Sequence, residues 1–349
     1  MKTIQGFLLI DVDVAALNNA GKASSSKVEN AVVTKKIFKN KLAYPYVSGQ
    51  AWRYWWRETL KNDFQWKMSP IIREKKIAFT EANPFIYPDD DIFGYMRAGK
   101  LEMKDPETGK IKKENITLTR VSPMKNSALM AISHNPVVQN WSSMTRQEGD
   151  AVPYQIDEYC AIMKGMFSID LDQCGTFSMV ARTGFMNINE AMKSEALENG
   201  AQEFEDPLIN DSKGNPIKFV RLSKEVRLER IKNTVAALKT LSGGAKLTTN
   251  LADVTPKLIV LATFNSGNHP FSHLAFEDKG KAVFSITALL QAVQDYQPQL
   301  QGKVFIGRRE GFMNELDAEL KELSQKNDQF VYGTVGEAIE NYLESLNLD

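Results

Sequence analysis

Two cysteines and three histidines in 349 residues leave no material for a disulfide framework or a zinc quartet. His269 and His273 are four apart, but Pro270 between them disfavours the helix that an H-x-x-x-H metal pair needs. Long apolar runs are missing too: none approaches the ~18 residues that a membrane helix requires. The apolar patch in MKTIQGFLLIDVDV is followed by acidic residues and no small-residue cleavage site, so it reads as a first strand rather than a signal peptide. Gly302, Gly307 and Gly311 form no G-x-G-x-x-G motif, and Gly243-Gly244 lacks P-loop spacing. The expectation is a reduced, cytoplasmic protein with no cofactor and no membrane association.

An excess of either charge is also absent, with 43 basic against 43 acidic side chains. The balance hides an asymmetry. Residues 1–80 hold 14 Lys and Arg against 6 Asp and Glu, whereas residues 310–349 hold 2 against 10. This argues for a basic working surface at one end and would let copies attract head to tail. Ordinary solvated faces are the plainer explanation.

What the chain does have is concentrated in residues 35–62, KKIFKNKLAYPYVSGQAWRYWWRETLKN, a basic hairpin running into a helix. Ser48 is a good N-cap, and Trp52, Trp55, Trp56 and Leu60 form one apolar stripe. Arg53 and Arg57, four apart, share another face. A helix start beside basic strands suits a phosphate backbone; an amphipathic helix with solvated arginines fits as well. Lys36, Lys39 and Lys41 lie in the hairpin, and Arg120, Ser122 and Lys125 add a second polar-basic strand. Gly243-Gly244 reads as a helix stop, or as a loop presenting N–H groups, Lys246 and Thr248 to phosphates. Asp11 and Asp13 share one strand face without a third acidic partner.

Residues 3–14 read as a central strand, 16–29 as a polar loop, and 32–47 as two short strands turning near Lys39-Asn40. Residues 63–150 carry Pro70, Pro84, Pro88, Pro106, Pro123 and Pro136, and read as inserted, surface-borne structure. Phe93 and Tyr95 either dock that insertion or form a local cluster. Residues 117–133 and 159–172 read as two long strands of a ribbon separated by a polar excursion, 134–158, carrying Trp141 and Met144. Residues 185–216 read as a short helix and an exposed acidic loop. A helix over 223–241, a polar loop at 245–250, a buried strand at Leu258–Phe264 and acidic C-terminal helices follow. This order fits an α+β, ferredoxin-like βαββαβ core with a large insertion.

In this order, GFLLIDVDV, YPYVSGQAWRYWWR, TRVSPMKNSALMAI and LKTLSGGAKLTTN resemble the DevR-type subunit of type I-B CRISPR complexes, the seventh Cas protein family of the RAMP superfamily. The resemblance implies an RRM/ferredoxin-like palm (1–62 and 159–310) with a large inserted helical region (63–116). It also implies a ribbon (117–172) whose excursion 134–158 is a protruding thumb, and acidic helices (311–349) packed on the palm. It further implies an antiviral role as the RNA-binding backbone of a Cascade ribonucleoprotein. Copies would stack head to tail along a crRNA guide, beside other Cascade subunits, and present guide bases to target DNA. Ser48, Gln50, Arg53 and Arg57 match the family's guide-holding helix, and Lys36, Lys39 and Lys41 its basic hairpin. Arg120 and Ser122, with Gly243, Gly244 and Lys246, match the other backbone-contacting segments. Trp52 stands where many relatives carry a smaller aliphatic residue.

Related type III subunits cut RNA with an aspartate in the loop after the first strand. Here that loop has Asn18 and Asn19 and no Asp, so the chain is expected not to be an enzyme. The alternatives are a metal-dependent endoribonuclease using Asp11 and Asp13, and a transcriptional autoregulator, for which no helix-turn-helix pattern is present.

Overall fold

The computed structural model describes all residues except 19–20, 22–30, 75–76, 105–110, 135–136, 146–147, 181, 183, 211–213 and 349. Most of the predicted loop at 16–29, Asn19 included, therefore lies outside the described residues.

The elements that place the site are, in chain order, β1 (Thr3–Ala15), β2 (Lys36–Lys39), β3 (Leu42–Val47), α1 (Gly49–Asp63), α2 (Pro88–Phe93), β4 (Met124–Asn126), β5 (Leu129–Ala131), β6 (Val138–Met144) and β7 (Val152–Asp170). They continue with α3 (Lys224–Ala236), β8 (Leu258–Phe264), α4 (Ile286–Asp295), β9 (Leu300–Arg308), α5 (Asp317–Lys326), β10 (Phe330–Gly333) and α6 (Val335–Ser345). One large mixed sheet runs β10-β9-β8-β1-β7-β5-β3-β2. Only the β9–β10 pair along this path is parallel.

Strand β1 is central because both its faces are apolar. Ile4, Leu8, Ile10 and Val12 enter one core beneath α1, α3 and α6, with Trp52, Trp56, Ile231, Val235 and Tyr342. Phe7 and Leu9 enter a second core with Phe271, Leu274, Leu289 and Leu320. Burying both faces calls for a near-continuous apolar run rather than alternation. Its register is Ile4 opposite Ile169 on β7 and Thr263 on β8.

The reading of 117–133 as one strand is corrected. Residues Ile111–Arg120 pair with Tyr95–Lys104 in a separate hairpin, and within 117–133 it is β4 and β5 that join β7. Pro123, which lacks an N–H, separates the two groups. The insertion is not helical either. Among the described residues of 63–116 it holds the six-residue α2, the Tyr95–Lys104 side of that hairpin and the short hairpin Ile71–Glu74/Ile77–Thr80. Its prolines break helices, and Ile71, Ile72 and Ile77 favour pleated backbone. The acidic stretch expected as a loop instead pairs Gln202–Asn210 with Pro216–Arg221.

Helix α3 hands over to a 3-10 turn at Ala237–Lys239 and stops before the glycines. Residues 245–250, expected as loop, contain one helical turn at Leu247–Asn250. Among the described residues, no helix is long and apolar enough to cross a membrane.

Candidate nucleic-acid interface

Helix α1 forms where the sequence places it. The Ser48 hydroxyl accepts from Ala51 N–H at 3.3 Å, and no acidic side chain occupies the first turn. Trp52, Trp55, Trp56, Thr59 and Leu60 face inward. Trp56 meets Phe167 edge-on at 5.2 Å and donates Nε1–H to the Thr234 carbonyl at 2.7 Å, tying α1 to α3. Gln50 is exposed at the helix start, where unpaired N–H groups and the helix dipole favour an anion.

The glycine loop rests directly on this helix. A Cβ at Gly243 would lie 2.1 Å from the Trp55 ring, and Gly244 takes φ +107. Only glycine meets both demands easily. Ala245 N–H donates to the Leu17 carbonyl, so the loop also holds the end of the segment after β1. Lys246, itself left-handed at φ 57, puts its ammonium 5.3 Å over the Tyr154 ring of β7. Asn250 donates to Glu158, also on β7. A cleft of about 270 Å³ opens between α1 and the loop, lined by Tyr54, Trp55, Glu58, Gly243, Gly244 and Leu247. Thr248 is exposed beside it, and so is Leu251, 85% accessible at positive φ.

The two helix arginines differ in their surroundings. Arg53 donates through Nη1 to Met124 O (2.8 Å) and Asn126 Oδ1 (3.1 Å), and through Nη2 to Phe93 O (2.7 Å) and Ser122 Oγ (2.8 Å). Burial, then the Arg57 charge, pushes Arg53 down to about 10. Arg57 lies 4.5 Å over the Phe93 ring with its buried Nε unpartnered among the described residues. Burial lowers its pKa as well, opposed by Asp89 and Asp90. Ser122 is spent internally too, donating to the Ile92 carbonyl at 2.9 Å.

Arg120 lies apart from this group. It is 6% exposed, bonded to Asp91 Oδ1 at 2.6 Å and to the carbonyls of Asp91, Gln173 and Thr176. Asp91 binds Arg230 at 2.8 Å through its other oxygen. A guanidinium so enclosed braces the interior and has no open edge for a ligand. Arg120 is thus removed from the expected contact set.

The remaining candidates lie on the flanks. Lys36 pairs with the buried Asp157 at 3.5 Å, where β2 meets the β6–β7 ribbon. Lys39 and Lys41 are exposed at the hairpin tip, with Asn40 and Lys41 both at positive φ. Lys125 is exposed on β4, whose neighbour Asn126 donates to the Gly49 carbonyl at the start of α1.

Beyond the part of β7 held in the large sheet, β6 and β7 pair from Val138–Glu158 to Met144–Val152, with Val138, Trp141 and Met144 exposed. His269 Nε2 contacts the carbonyls of Gly6 and Phe167, a packing role. Burial and then Asp13 raise the Asp11 carboxyl, and no metal-competent group of three or more His, Cys, Asp or Glu occurs among the described residues.

Sequence reasoning missed Asn126, Tyr154 and the role of Phe93 as a platform under the arginines. Phe93 had a visible signal, an aromatic in an otherwise acidic turn. Asn126 and Tyr154 had none.

No curated protein sequence matches the chain. Among solved structures, a chain of a "CRISPR RNA-guided surveillance complex, pre-nicking" is similar with TM-score 0.52 and 9% identity, over 98% of this chain and 99% of that one. A chain of a "CRISPR RNA-guided surveillance complex" gives TM-score 0.49 at 9% identity over the same shares. The model of the family described as CRISPR-associated negative auto-regulator DevR/Csa2 matches residues 8–283, and the chain belongs to that family.

Proposed function

We propose that the chain is a non-catalytic, guide-RNA-binding backbone subunit of a type I CRISPR surveillance complex. The observation that carries this reading is the glycine loop itself, which packs through Gly243 against Trp55 of α1 and reaches the ribbon through Lys246 over Tyr154 and Asn250 to Glu158. Ser48, Gln50, Arg57, Gly243, Gly244, Lys246 and Thr248 would hold the backbone of one strand, with Lys39, Lys41 and Lys125 on its flanks. Backbone N–H groups and cations in that arrangement read phosphates without reading sequence.

The sheet supports the palm assignment. The β8-β1-β7-β5 order, antiparallel throughout and with α1 and α3 on one face, is that of a βαββαβ ferredoxin-like core. The β6–β7 ribbon is the thumb of this reading, its exposed Trp141 and Met144 suited to contact bases. Opposite charges at the two ends of the sequence suit head-to-tail stacking of copies, which would leave guide bases free to pair with target DNA.

The test is purification of the chain with the products of its neighbouring genes, followed by sizing of any RNA retained. RNA of uniform length, protected in equal steps per added copy, is expected. Bare, monomeric protein overturns the reading.

A further inference from the structure

We infer that Phe93 is a positioning residue that seats Arg57, and that Arg57 rather than Arg53 carries the phosphate contact of α1. This rests on the guide-binding reading above. In sequence the two arginines look interchangeable, being four apart on one helix face. The fold uses them differently. All four Nη hydrogens of Arg53 are matched by four acceptors on three segments: the end of α2, Ser122 and β4. To grip a phosphate with paired donors, Arg53 would have to abandon backbone carbonyls it already satisfies. It is a rivet.

Arg57 makes no hydrogen bond or ion pair to any described residue, yet it is held. Its guanidinium carbon lies 4.5 Å over the Phe93 ring, inside the range in which an aromatic face attracts a cation. Asp89 and Asp90 support its charge against burial. The ring, itself 4% exposed, belongs to α2 and lies also under Arg53 at 5.1 Å. Arg53 therefore fixes the end of α2, α2 presents Phe93, and Phe93 holds Arg57 with donors uncommitted. The insertion, not the palm alone, sets where the phosphate contact falls.

The experiment measures single-stranded RNA binding by the full chain against salt concentration for wild type, Arg57→Gln, Arg53→Gln, Phe93→Leu and Phe93→Tyr, with a thermal melt of each. One lost phosphate contact on a single strand reduces the steepness of log K against log salt by about 0.7. Arg57→Gln is expected to show that reduction with a wild-type melt. Phe93→Leu is expected to show part of it while still folding, and Phe93→Tyr to restore it. Arg53→Gln is expected to melt lower and keep the wild-type slope. A slope loss in Arg53→Gln equal to that in Arg57→Gln overturns the assignment, as does a wild-type slope in Arg57→Gln; a wild-type slope in Phe93→Leu overturns the role of Phe93. Wild-type protein that binds no RNA overturns the guide-binding reading itself, and this assignment with it.

Discussion

At Gly243 a single hydrogen atom decides whether the loop can lie on the helix. A methyl group there would meet the Trp55 ring at 2.1 Å, a clash with a side chain that is itself packed. Gly243→Ala is expected to cost about 1–3 kcal/mol in urea denaturation, the range of core overpacking, and to weaken RNA binding as the loop lifts. Asp89 offers a test with pH. Burial pushes its carboxyl from 3.8 up to about 6, against the pull of Ser69 N–H and Arg57. A raised carboxyl stabilises the fold fully below the unfolded value, and that contribution is lost as pH rises through about 6. Asp89→Asn keeps an acceptor for Ser69 N–H, so it is expected to be more stable than wild type at pH 7.5, by at most about 3 kcal/mol. The gap should close below pH 4; urea midpoints at the two pH values check it. The arginines show where sequence reading stops. Arg120 and Arg53 sit in polar, basic surroundings along the chain, and nothing local reveals that Asp91 will close on the first and the Phe93 carbonyl on the second.

Among the elements, α1 was legible because its determinants are all local: a capping serine, an apolar stripe and a polar opposite face. Ser48→Ala is accordingly expected to cost about 1 kcal/mol by chemical denaturation, through loss of one cap. The hairpin turn was legible to within a residue, since Asn40 tolerates the left-handed backbone of a two-residue turn. The insertion was misread because short strands in hairpins need partners that the sequence does not announce. The apolar alternation of Ile116 and Leu118 does not say which strand it will face, and residues 111–120 pair with 95–104, the segment nearer in sequence. The ribbon carries its own test. Trp141 is 63% exposed, so Trp141→Ser is expected to leave stability within about 0.5 kcal/mol while altering the spacing of nuclease-protected nucleotides on bound RNA. An unchanged protection pattern would remove Trp141 from any base contact.

Across the whole molecule, the α+β class followed from element order, because antiparallel neighbours and apolar runs leave few arrangements. What did not follow was how the insertion is welded on. Asp91 binds Arg120 and Arg230 at once, joining α2, the strand ending at Arg120 and α3, and it also accepts from Gly175 N–H. All three charged groups are almost wholly buried. Asp91→Asn leaves two guanidinium groups without their counter-charge and is expected to cost about 3–5 kcal/mol in equilibrium unfolding. A cost below 1 kcal/mol would mean that the joint is redundant.

Strand β7 is continuous for 19 residues, from the ribbon at Val152 to Asp170 in the large sheet. The register irregularity at the junction falls between Val12 and Ala15 on β1, three residues there spanning two on β7. The ribbon is therefore a cantilever, its fixed end clamped by both neighbours of β7 and its compliance placed in the partner strand. At about 3.3 Å per residue the whole strand spans roughly 60 Å, of which the stretch Val152–Glu158 paired with β6 is about 20 Å. A load at the tip would be felt at β1, close to Leu17 and the loop that leans on it. In a row of identical copies, such beams would fix a repeat distance mechanically, with each subunit serving as a gauge for the next.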